Sequence, residues 1–140
     1  MRYLIFSFAI LLFSCAKSAE DKDLSSNQSK WNKKNIAIYE FTLTINCFCP
    51  QERVGPHVIK VVDGQIVSVN NMPYDPDATG ELMTIDDLFT FVATSIERHP
   101  YRKTIEYNST FGYPQTVWFD FNKTMADEEI GYQITGFKVI

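Results

Sequence analysis

Apolar and polar side chains alternate strictly from Tyr39 to Cys49. Tyr39, Phe41, Leu43, Ile45, Cys47 and Cys49 share one face, and Glu40, Thr42, Thr44 and Asn46 the other. This predicts a half-buried strand, which Pro50 ends. Val58 to Val62 and Gln65 to Val69 are β-branched runs around Asp63-Gly64, a strong short-hairpin signal. Asn70 to Gly80 holds Pro73 and Pro76 and predicts a loop. The period then changes. Ile85, Leu88, Phe89, Val92 and Ile96 recur at helical spacing, Thr84 stands at the N-cap, and Asp86 and Asp87 fill the first turn. Arg98, His99 and Pro100 close that helix. Strands over Thr104 to Asn108, Gln115 to Phe121 and Ile130 to Phe137 complete the pattern, and Trp31 to Ile38 predicts a short helix. The expected fold is α+β: an antiparallel sheet of about four to five strands, with one main amphipathic helix packed on one face.

The first fifteen residues follow another rule. Arg2 precedes an almost unbroken apolar run from Tyr3 to Phe13. Eleven helical residues rise roughly 16 Å, too short for a bilayer core of roughly 30 Å but right for a signal peptide. The run ends in Leu12-Phe13-Ser14-Cys15, which resembles a bacterial lipobox. The resemblance implies cleavage after Ser14 and lipid on Cys15. Ala16 rather than Asp follows, which favours the outer membrane in an enterobacterial sorting scheme. The expected location is therefore extracytoplasmic, anchored to a bacterial membrane through Cys15. Residues 1–14 read as signal peptide and 15–30 as lipidated Cys and flexible tether. Residues 31–140 read as a single domain. The tether has one large apolar residue, Leu24, and no period, so ordering it gains little burial. As a coil it would reach on the order of 20 Å.

Composition narrows the function. The 140-residue chain is 45% hydrophobic, enough for one domain with a core. A formal net charge of -4 argues against nucleic acid as a partner, which needs a basic face. Three cysteines are too few for a disulfide-dense scaffold.

The motifs also resemble, in order, a set of bacterial and often lipobox-bearing proteins catalogued as domain of unknown function 6174. They are Trp31 with Asn35, Tyr39-x-Phe41, Cys47-Phe48-Cys49, Val61-x-Asp63-Gly64, Thr84-Ile85-Asp86-Asp87-Leu88-Phe89, Phe111-Gly112-Tyr113-Pro114 and Asp127-Glu128-Glu129-Ile130. The resemblance covers roughly residues 31 to 134 and implies the domain limits and an extracytoplasmic location. It implies no catalytic residue.

Cys47 and Cys49 are the residues with most chemistry to offer. In an extended strand their Cα atoms lie roughly 6.6–7 Å apart, at the edge of disulfide geometry, and a bend before Pro50 brings them closer. Four readings stay open: a structural or intermolecular disulfide, a buried reduced pair, a redox-active pair, or a metal site. A copper or zinc site would draw on Cys47, Cys49 and His57, with Met72 the next ligand in sequence. His57 and His99 otherwise read as structural. Asp120, Asn122, Thr124 and Glu128 superficially resemble a calcium loop, but Met125 and Gly131 occupy its sixth and twelfth positions. Asp127, Glu128 and Glu129 suit a basic partner, and Trp118, opposite in alternation to Phe119 and Phe121, is a candidate exposed aromatic. Catalytic residues and cofactors are expected to be none. The sequence therefore reads as an envelope lipoprotein of unknown function, a non-catalytic module with a protein partner in the envelope. The alternative is thiol-redox or copper/zinc handling by the Cys47-Phe48-Cys49 pair.

Overall fold

The computed structural model describes residues 19–125 and 127–140, apart from the Glu20 side chain. The expected signal peptide, Cys15 and the start of the tether lie outside the described residues. From Ala19 the expected tether is instead helical: α1 spans Ala19–Lys34. Tertiary packing overrides the weak local pattern here. Asp21, Leu24, Asn27, Gln28 and Trp31 are the inward positions, at helical spacing, but three of the five are polar. That substitution hides the period from a hydrophobicity reading. Trp31 is buried, and Asn35, in the left-handed region, ends the helix. Trp31 to Lys34 thus belong to the last turn of α1, not to a separate short helix.

The strands are β1 (Ile38–Cys47), β2 (His57–Val62), β3 (Gln65–Val69), β4 (Met72–Pro73), β5 (Arg102–Tyr107), β6 (Pro114–Asp120) and β7 (Ile130–Val139). The remaining helices are α2 (Gln51–Val54), α3 (Pro76–Thr79) and α4 (Ile85–Glu97). All strand pairs are antiparallel. They form one sheet in the order β4-β3-β2-β1-β7-β6-β5. The mixed helix-and-sheet architecture matches the sequence expectation, but among the described residues the sheet has seven strands rather than four to five. Two features account for the difference. The last strand inserts between β1 and β6 and joins two antiparallel groups into one sheet. And β4, in a stretch its prolines mark as loop, pairs at the edge through a tight turn at Asn70 and Asn71, both at positive φ.

The hairpin at Asp63-Gly64 forms as its sequence requires, with both residues at positive φ and Val62 paired to Gln65. Thr84 caps α4 through a complete capping box. Its Oγ1 accepts the Asp87 N–H at 3.1 Å, and Asp87 Oδ2 accepts the Thr84 N–H at 2.9 Å. The apolar face of β1 is sealed: Tyr39, Phe41, Leu43 and Ile45 are all buried. Ile59 and Val61 of β2, Tyr132 and Ile134 of β7 and Val117 and Phe119 of β6 continue it. Helix α4 covers this face with Ile85, Leu88, Phe89 and Val92, each burial stabilising by roughly 1.5–3 kcal/mol. Ser95 rather than Ile96 is its last buried residue.

Helix α1 is clamped on the same face. Trp31 makes edge contacts with Tyr39, Tyr113 and Phe137 at centroid distances of 5.4, 6.2 and 5.8 Å. Its indole Nε1–H donates to Asp86 Oδ1 at 3.1 Å, in the first turn of α4. Tyr39 Oη accepts the Ile85 N–H at 3.4 Å. The turn before β6 completes the seat. Asn108 Oδ1 accepts the N–H groups of Thr110 and Phe111 at 3.1 and 2.9 Å. Gly112 then passes at φ +86° so close to α1 that a Cβ there would sit 2.5 Å from the Asn27 carbonyl oxygen.

Two consequences are measurable. Gly112→Ala forces α1 off the turn and is expected to destabilise the fold by roughly 1–3 kcal/mol. Trp31→Ala is expected to cost about 3–5 kcal/mol. Urea midpoints measure both, and a Gly112→Ala midpoint equal to the parent's would show that α1 is not seated there. The second consequence concerns alkali. Burial lifts the Tyr39 hydroxyl well above its ordinary range. The Ile85 N–H opposes this, and Asp86 and Asp87 add to it. Tyr107 is pushed up to about 12, mainly by burial and further by Asp23. Burial also raises Tyr113 and Tyr132, the latter partly offset by Arg53. A folded-state pKa above the unfolded one means stability that is complete below the ordinary value of 10 and lost as pH rises towards about 12. The urea midpoint should hold up to pH 10 and fall from there to pH 12, in step with tyrosinate absorbance. A midpoint unchanged to pH 12 would contradict it.

Candidate functional site

The insertion of β7 beside β1 brings two sequence-distant features to one end of the sheet. Cys47, the last residue of β1, pairs with Ile130, the first of β7. Asp127, Glu128 and Glu129 directly precede Ile130, so the acidic run meets the cysteines. The turn after β6 begins this return. Asp120 Oδ1 accepts the Asn122 N–H at 3.0 Å, and Asn122 Oδ1 accepts the Thr124 N–H at 3.0 Å. The oxygen-rich run that superficially resembles a calcium loop thus spends these side-chain oxygens on its own backbone.

Strand β1 stops at Cys47, and the chain bends through Phe48 and Cys49. The bend makes Cys47 and Cys49 a close pair, their Cα atoms 5.3 Å apart, inside the span a disulfide bridges. Both cysteines are half-buried, while Phe48 between them is 86% exposed. Two neighbouring side chains that turn towards each other leave the middle one to face outward. Pro50 then starts α2, which packs on β1.

Cys47 and Phe48 form one side of a cleft of about 380 Å³, and the acidic run with Ile130 forms another. Phe91 of α4, Arg98 at its C-cap and Phe121 complete it. The Arg98 guanidinium lies over the Phe121 ring, 3.9 Å from its centroid, and it closes α4 where a cation suits the helix dipole. Phe121 stacks on Phe119 at 5.8 Å, which ties the rim to the core. Asp127, Glu128 and Glu129 are exposed and have no ion-pair partner among the described residues. The cleft therefore offers an apolar aromatic floor, one held cation and three free carboxylates. Arg98 and Phe121 were not singled out from the sequence as site residues; Arg98 read only as a helix-end signal.

The other sequence candidates lie elsewhere. His57 is buried opposite Leu43, four positions along β1 from Cys47 and so about 13 Å away by the strand rise. Its Nε2 bonds the Arg53 carbonyl at 3.1 Å, and its Nδ1 has no hydrogen-bond partner among the described residues. Gly55 holds this close approach, since a Cβ there would fall 2.8 Å from the His57 ring. Met72 is exposed on the edge strand β4. The structure thus does not bring His57 or Met72 to the cysteine pair. No group of three His, Cys, Asp or Glu is placed to hold a metal among the described residues. His99 sits in the left-handed region just beyond α4. Trp118 is half-buried on the opposite, open face of the sheet and lines none of this cleft. The interaction residues expected together therefore divide between two places.

Among the described residues no helix is long and apolar enough to cross a membrane. No curated protein and no solved structure matches the chain at a significant level. A family model does match, over residues 23–139, which include most of α1, the whole sheet and the cleft. The chain belongs to that family, the family of unknown function DUF6174.

Proposed function

We propose that this protein is a bacterial cell-envelope lipoprotein whose body is a non-catalytic docking module for a protein partner in the envelope. The lipid reading rests on the apolar leader and Cys15. Each buried methylene adds roughly 0.8 kcal/mol, so several acyl chains anchor the body stably. Helix α1 begins at Ala19, so Cys15 and the helix are at most about 14 Å apart along an extended chain. The body is then held at the membrane surface rather than on a longer coil.

The observation that carries the docking reading is Phe48. It is a large apolar side chain, 86% exposed and fixed at the tip of the Cys47–Cys49 bend. Burying it in a partner would gain roughly 1.5–3 kcal/mol with little loss of freedom. The unpaired carboxylates beside it select a basic partner surface and repel an acidic one.

The test is a photoreactive phenylalanine analogue at position 48 of the full-length chain, in cells, with palmitate labelling alongside. One adduct of discrete mass is expected, weakened when Asp127, Glu128 and Glu129 are changed to Asn, Gln and Gln. Cys15→Ala should abolish both the label and membrane retention. A labelled protein without a discrete adduct would sink the docking reading alone. An unlabelled, freely soluble parent would sink the anchor.

The close approach of Cys47 and Cys49 supports a second reading, thiol-redox or metal handling. Intact mass with and without reductant, followed by alkylation, separates the two. An oxidising compartment is expected to yield a chain two hydrogens lighter than its reduced form, refractory to alkylation until strongly reduced. A pair that alkylates at once, cycles in a mild thiol buffer or retains copper or zinc would transfer the function to the cysteines.

A further inference from the structure

The face of the sheet opposite α1 and α4 carries a second groove, of about 380 Å³, that shares no residue with the cleft above. Gly131 of β7 lies at its base, paired with Trp118 of β6, and its missing side chain lets the indole settle against the strand. Thr44 and Asn46 of β1, Thr116 of β6 and Gln133 of β7 surround it, with Val54 of α2 as an apolar neighbour. No charged side chain lines it, in a chain that is 21% charged. Nor does any of these four polar side chains, or the Trp118 indole, have a hydrogen-bond partner among the described residues. The groove thus presents two amides, two hydroxyls and an indole N–H, all uncommitted, around one aromatic face.

That inventory selects its occupant. A charged ligand would be desolvated with no counter-charge. An apolar one would strip water from five polar groups and return no hydrogen bond. An added peptide strand needs a free sheet edge, and β7 and β6 lie inside the sheet. A neutral sugar ring meets the requirements: one face is C–H and stacks on an aromatic ring, and its edge is hydroxyl, which both donates and accepts. The volume falls within the range of small-molecule sites. We propose that this groove binds a neutral saccharide unit, its ring laid on the Trp118 indole and its hydroxyls held by Asn46, Gln133, Thr44 and Thr116. The site is independent of the docking reading and of the cysteine pair.

The competing explanation is structural. A Cβ at Gly131 would lie 3.2 Å from Trp118 Cδ1, so the indole already covers the glycine and could serve only to do so. The two tryptophan indole N–H signals separate the cases. Full-length ¹⁵N-labelled chain in a zwitterionic, sugar-free detergent is titrated with chitohexaose, maltohexaose and, as a charged control, an oligogalacturonate. A saturating shift is expected at the Trp118 N–H and at the Asn46 and Gln133 side-chain amides with at least one neutral oligosaccharide. The Trp31 N–H, held by Asp86, should stay still. Asn46→Ala and Gln133→Ala, both at exposed positions that leave Trp118 over Gly131, should each weaken binding about tenfold. The proposal is overturned if neither neutral sugar moves these signals at millimolar concentration. It is equally overturned if the charged control moves them as strongly, or if both alanine variants bind as the parent does.

Discussion

One indole holds this molecule together across its sequence. Trp31 is the buried side chain of a helix with little apolar surface of its own, and it ties that helix to β1, β7 and α4. Its ring meets Tyr39 of the first strand, Phe137 of the last and Tyr113 just before β6. Its N–H reaches Asp86 at the start of α4. The first strand, the last strand and α4 therefore converge on one side chain. Phe111 and Phe137, 4.8 Å apart, extend the same cluster. Aromatic rings are well suited to this, since a few large rigid surfaces bury much area at low entropic cost.

Given that clamp, the sheet has two dissimilar faces. Both long helices lie on one, so all the apolar alternation of β1, β2, β6 and β7 is consumed there. The other face keeps its polar residues, including the Lys138–Glu40 ion pair at 2.7 Å. The functional consequence follows from geometry. The open face supplies an uncharged groove around an indole, while the sheet end supplies an aromatic cleft with carboxylates. These are different recognition chemistries, and the strand alternation that separates Trp118 from Phe119 and Phe121 keeps them apart.

Insertion of β7 in the centre of the sheet makes the second of these sites possible. A simple succession of hairpins would leave the last strand at an edge. Here it pairs with β1 at one side and β6 at the other. Cys47 and the acidic run, eighty residues apart in the chain, become neighbours through that pairing. Arg98 and Phe91 join them because α4 ends over the same corner.

The residues themselves determined whatever depends on local rules. The β1 alternation, the Asp63-Gly64 turn, the Thr84 capping box and the α4 stripe were all legible, because each is set within a few positions by backbone geometry and side-chain periodicity. So was the family, through the order of its motifs. The bend that pairs Cys47 with Cys49 was half legible, since Pro50 marks where the strand must stop. Tertiary structure alone decided the rest. Helix α1 was hidden because Asn27 and Gln28 occupy inward positions, and its seat depends on Gly112, which lets the turn before β6 approach the helix backbone at Asn27. The seventh strand and the central place of β7 came from long-range pairing, which leaves no local signature. His57 stood near the cysteines in sequence but not in space. Arg98 and Phe121 became part of a site only when α4 crossed the sheet end. Local propensity acts over a turn or a strand; a site is assembled by contacts whose sequence separation no short pattern encodes.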